Sequence, residues 1–104
     1  MTDNTAAIAR IAAEITGSIR RLSLLARATD DMGEMVAVLD ALEGADGPLA
    51  ALGDLFTDGA EWLQEFEACE DAQDAAERME DTSGYPESIR GALDLVLRTI
   101  RPLA

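Results

Sequence analysis

Apolar residues at Ile8, Ile11, Ile15, Ile19, Leu22 and Ala26 are three, four, four, three and four positions apart, and no other feature constrains the fold as strongly. At about 100° per residue that rhythm lays one stripe along a helix, so residues 4 to 28 read as a long amphipathic helix. Arg10, Arg20, Arg21 and Arg27 fall on the opposite side of it. Nowhere does the chain show the apolar–polar alternation of a half-buried strand. An all-α fold follows.

Start and stop signals divide the remainder. In "TDDMGEM", Asp31 and Glu34 stand in capping-box relation, the first accepting from an orphan amide and the second reaching back. A helix to about Glu43 is expected there, with Met32, Met35, Val36, Leu39 and Leu42 inward. "EGADGP" is the clearest break, and Pro48 suits the first position of a short helix reading "PLAALGDLF". Asp58 and Glu61 repeat the D-x-x-E signal, which predicts the longest helix over about residues 59 to 81. "DTSGYP" ends it, and Pro86 opens a last helix with Ile89, Leu93, Val96 and Ile100 in line. Segments 29–43 and 56–70 align on these caps, either as a diverged duplication or as similar caps before similar amphipathic patterns.

One domain spanning residues 1–104 is expected: a small antiparallel bundle of four to five amphipathic helices. The two long helices, each roughly 35 Å at 1.5 Å per residue, are long for so short a chain. Its core is therefore closed either within the chain or by dimerisation.

Charge narrows the function. The formal charge is −13, and residues 30 to 87 carry 18 acids against Arg78 alone. Arginine is the only basic residue type, a pattern that a GC-rich genome or a salt-adapted interior would also produce. Phosphates repel such a surface, so neither direct nucleic-acid binding nor an anionic membrane is expected. No apolar run approaches the roughly 20 residues that span a bilayer. One cysteine and an N-terminus without a signal-peptide pattern point to a cytoplasmic protein.

The densest acidic stretch is "EACEDAQDAAERMED", residues 67 to 81. On one continuous helix, Glu67, Glu70, Asp71, Asp74 and Asp81 would face away from a side carrying Trp62, Phe66, Cys69, Ala72, Ala76 and Met79. Like charges three or four apart each disfavour a helix by roughly 0.2 to 0.5 kcal/mol at low salt. A cationic partner, a metal or high salt would relieve that strain, and the candidate partner-binding face is the one around Glu67, Glu70, Asp71, Asp74 and Glu77. Without histidine or a calcium-loop motif no metal site is expected. Cys69 reads as a small core residue, since burial among carboxylates opposes thiolate chemistry. With neither histidine nor lysine the usual general bases and amines are missing, so no catalytic residue, cofactor or enzymatic activity is expected. Trp62 is the one large anchor, read either as a core wedge at the helix start or as an interface hot spot, and Leu95, turned away from the Ile89–Ile100 line, marks with Leu97 a second contact surface; these three are the candidate oligomer interface of a homodimer.

The leading expectation is thus a non-catalytic interaction module of adaptor, antitoxin or inhibitor type, offering an acidic helix face to a basic protein. The alternatives are a DNA mimic, with carboxylates in place of phosphates, and a purely structural oligomer-forming subunit.

Overall fold

The computed structural model describes residues 4–104. Its elements are α1 (Thr5–Ala28), α2 (Met32–Glu43), α3 (Pro48–Gln64), α4 (Glu70–Ser83), α5 (Tyr85–Ile100) and a terminal 3-10 turn, Arg101–Leu103. The described residues contain no strand. The all-α reading therefore holds.

Each early boundary has a local cause. Asp31 caps α2, its Oδ1 accepting from the Gly33 amide at 2.9 Å. The reciprocal half of the box differs from expectation. The Asp31 amide donates to Thr29 Oγ1 at 3.1 Å, and that hydroxyl donates to Glu34 Oε2 at 2.6 Å. A threonine hydroxyl relays what Glu34 was expected to do directly. Pro48 occupies the first turn of α3 as anticipated. Gly47 is required before it, because a Cβ there would lie 2.4 Å from the Ala41 carbonyl oxygen. Backbone of α2 leaves no room for a side chain.

The middle of the chain departs from the sequence reading. Instead of a short helix and a long one joined at Asp58, α3 runs unbroken from Pro48 to Gln64, and Asp58 and Glu61 lie in its interior. The break falls at residues 65–69, and α4 starts only at Glu70. The physical reason is burial: one straight helix through this region would hold Ala60 and Ala76 about 24 Å apart on open surface. Folding it into a hairpin lets α3 pack antiparallel on α4, and each contributes one fully buried alanine. Gly59 lies against Met79, and Gly53 lies against Pro86 and the Ser83 carbonyl, so small residues let the backbones approach. A local D-x-x-E pattern cannot outweigh that packing.

On the other side, α5 packs on α2, α3 and α4. Its buried side is centred on Pro86 and Leu97, rotated away from the expected line, and Ile89 and Val96 stay exposed. Two long-range polar contacts hold that rotation. Arg90 Nε donates to the Glu43 carbonyl at 2.7 Å, satisfying the end of α2, and Arg101 pairs with Asp40 at 2.6 Å.

Among the described residues, helix α1 packs only against α2. None of its residues is buried, and the stripe that defined it stays open, with Ile8 64%, Ile11 52%, Ile15 55% and Ile19 53% exposed. The particle measures 55 × 30 × 18 Å with a radius of gyration of 17.5 Å. A compact chain of this length has about 13 Å. Among the described residues, Ala60, Ala76, Pro86 and Leu97 are the only buried side chains.

The two candidate caps are separable by stability. Asp31→Ala should destabilise the fold by about 1 kcal/mol because an orphan amide loses its acceptor. Asp58→Ala, in a helix interior and on the surface, should stay within about 0.5 kcal/mol of the parent. Denaturant midpoints of the two variants measure the difference.

Candidate functional site

The α3–α4 hairpin carries most of the residues singled out from the sequence. Its tip is built by turn hydrogen bonds: Glu65 N to Trp62 O at 3.2 Å, Phe66 N to Leu63 O at 3.2 Å and Cys69 N to Phe66 O at 3.0 Å. Gln73, one turn into α4, closes it. Its Nε2 donates to the carbonyls of Gln64 at 3.2 Å and Phe66 at 3.0 Å, satisfying acceptors that the end of α3 leaves unpaired. Beside this closure, Trp62 and Phe66 meet edge to face, with ring centroids 4.8 Å apart. Trp62 is nevertheless 58% exposed, so the chain's one tryptophan is a surface group rather than a wedge inside the hairpin.

The acidic residues are redistributed by the break. Glu70 and Asp71 lie in the first turn of α4, where the helix dipole favours anions. Asp74 and Glu77 follow on the outward side, opposite the buried Ala76, and both are exposed. Glu67 is not on that helix; it sits in the connecting turn. The Glu67/Glu70 and Glu67/Asp71 helix repulsions expected from the sequence therefore disappear. Glu70/Asp74 and Glu77/Asp81 remain as like-charged neighbours one turn apart within α4. Among the described residues, no arginine lies within ion-pair distance of a carboxylate in α4; the three ion pairs are Arg90–Glu87, Arg98–Asp94 and Arg101–Asp40.

Two other placements correct the sequence reading. Cys69 is exposed at the N-cap position of α4, because the hairpin turn lifts it out of the helix whose apolar side it was expected to join. Leu97 is completely buried and belongs to the core, since α5 is turned to meet three other helices. It is therefore not open to a second copy in this arrangement. Leu95, 64% exposed, does point outward.

A surface strip emerges that the sequence did not disclose. Leu52, Leu55, Trp62 and Phe66 are exposed on and just beyond α3, and the contact of Gly59 with Met79 continues the strip onto α4. At helical spacing, Asp58 and Glu65 lie along its α3 edge, and Asp71 and Asp74 along its α4 edge. Apolar surface bordered by carboxylates suits an apolar segment flanked by cations. The signal was present as the 52, 55, 59, 62, 66 spacing, but it is visible only if the helix is not restarted at Asp58.

An open groove of about 200 Å³ lies between α3 and α5, lined by Leu49, Gly53, Asp54, Pro86, Glu87 and Arg90. Its only cation is already engaged, with Glu43 and Glu87. Among the described residues no group of three or more potential metal ligands converges, and no helix is long and apolar enough to cross a membrane. Compared with known protein families, curated proteins and solved structures, the chain has no match.

Gln73→Ala should cost about 1 kcal/mol by removing bonds to the α3 carbonyls. Hydrogen exchange should report it as faster exchange confined to the hairpin tip, residues 64–70, before any change elsewhere.

Proposed function

We propose that the protein is a non-catalytic interaction module whose α3–α4 hairpin receives a basic, amphipathic segment of another polypeptide. The observation that carries this reading is the pairing of an exposed apolar strip, anchored by Trp62 and Phe66, with carboxylates that have no internal cation. Glu67, Glu70, Asp71, Asp74 and Glu77 supply the charge that steers and selects a partner. The aromatic pair supplies affinity, since long-range charge governs encounter and register more than the strength of the final complex.

The scarcity of buried side chains supports the same reading. For an 11.1 kDa chain the surface expected of a compact monomer is about 5,700 Å². The actual surface is 7843 Å². A partner that covers the strip completes a core that one chain leaves open, and the four- to five-helix bundle is on this view a property of the assembly.

The test is retention of proteins from a lysate at low and moderate salt by the native chain and by a variant with Glu70→Gln, Asp71→Asn, Asp74→Asn and Glu77→Gln. A basic protein or a basic helical segment should be held by the native chain and released by the variant. Equal recovery by both would show that these carboxylates serve solubility alone.

A further inference from the structure

We infer that the basic amphipathic segment received by the hairpin is α1 of a second copy of this chain. The inference rests on the proposed function and names its partner.

The apolar side of α1 fits the strip. Ile8, Ile11, Ile15, Ile19 and Leu22 span fifteen residues, and Leu52, Leu55, Gly59, Trp62 and Phe66, the last just beyond the end of α3, span the same fifteen. Both lines advance in steps of three and four, the spacing at which two helices interleave their side chains. The charges fit as well. Helix α1 carries four arginines against one glutamate, all four arginines lying on the side away from its stripe, so that the helix as a whole is basic. Helix α3 carries Asp54, Asp58 and Glu61 and no basic residue, and α4 carries six acids against Arg78.

Charge also decides among the exposed apolar surfaces. Pairing α1 with another α1 would set two arginine-rich helices side by side. The exposed line on α5, through Tyr85, Ile89 and Val96, belongs to a helix with two acids and two arginines and offers no net attraction. Only the α3–α4 hairpin combines apolar surface with opposite charge.

The chain's own α1 does not reach that strip. Just three residues, Thr29 to Asp31, join α1 to α2, and the hydrogen bonds among Thr29, Asp31 and Glu34 tie them down. In this arrangement α1 packs on α2 alone. A second copy has no such tether, and reciprocal exchange gives two equivalent α1–hairpin contacts about a two-fold axis. Area is sufficient: the surface beyond that of a compact monomer is roughly 2,100 Å², against about 800 Å² that each partner buries in a stable complex. Helices in proteins draw most of their stability from packing an apolar face, and the apolar stripe of α1 stays open on a single chain.

Trp62 lies in the strip and is the only tryptophan, so its emission reports coverage directly. The full chain is examined by sedimentation and by Trp62 fluorescence across a concentration series at low and high salt. The expected result is twice the 11.1 kDa chain mass, a blue shift of Trp62 that tracks association, and at least tenfold weaker association at high salt. Ile15→Glu and Leu55→Glu, each with helix content checked by circular dichroism, should both be monomeric with red-shifted emission. Mixing them should restore association and the blue shift, because one copy then offers an intact α1 and the other an intact hairpin. Should either variant lose helix, Arg21→Glu, which leaves both apolar lines untouched, should weaken association at least tenfold at low salt.

A parent chain that is monomeric throughout overturns the inference, whether its Trp62 is already blue-shifted or its α1 instead binds vesicles of anionic lipid. So does a dimer that survives both substitutions or forms without changing Trp62. If the parent is monomeric yet still retains a basic protein through Glu70 to Glu77, the inference fails and the proposed function stands; if neither occurs, both fail.

Discussion

The close approach of α3 and α4 is the contact on which the rest of the structure depends. It is made by side chains too small to hold helices apart: Ala60 and Ala76 are fully buried, and Gly59 admits Met79. Gln73 closes the tip by satisfying two carbonyls with one amide group. Once this hairpin forms, α5 has two helices to lie across, and Leu97 acquires a site that excludes water entirely. An interface of alanine and glycine has a cost, however. It buries little apolar area per helix, and burial contributes only about 25 cal/mol for each Å² removed from water. The larger hydrophobic groups are left outside.

That imbalance connects stability to function. Ile8, Ile11, Ile15, Ile19, Leu55, Trp62 and Phe66 all remain substantially exposed on one chain. Scattered exposed leucines are ordinary, whereas lines of exposed side chains at helical spacing are the property of surfaces that meet other surfaces. Charge adds direction, because the basic residues concentrate on α1 and near α5 while the acids concentrate on the hairpin. On the proposed reading, self-complementarity of this kind would promote encounter between copies even though the net charge of −13 keeps them apart at long range. Screening by salt weakens both effects, the attraction between the flanking charges and the repulsion between whole molecules.

The hairpin break also changes the meaning of the acidic stretch. Had residues 59–81 formed one helix, its carboxylates would have opposed helix formation along their whole length. With α4 beginning at Glu70, the first two acids stabilise the helix they start. What remains unsatisfied is concentrated on the outward side and at the C-terminal turn, among Asp74, Glu77, Glu80 and Asp81. Glu80 receives only a long contact from Gln64 Nε2, 3.4 Å.

The sequence by itself determined what depends on neighbours a few positions away: the helical class, the extent of α1, the Asp31 cap, the start at Pro48 and the open acidic side of residues 70–77. These follow from periodicity, from proline's fixed geometry and from short side chains that reach their own backbone. Only the tertiary structure decided where the middle of the chain bends, which side of α5 is inward, and that Cys69 and Trp62 are exposed while Leu97 is not. Each of those outcomes turns on helices distant in sequence competing for the same small buried surface, and a local cap at Asp58 worth about 1 kcal/mol cannot prevail against a hairpin's packing. The strip on α3 and α4 belongs to the same class, because it exists only once two helices lie side by side.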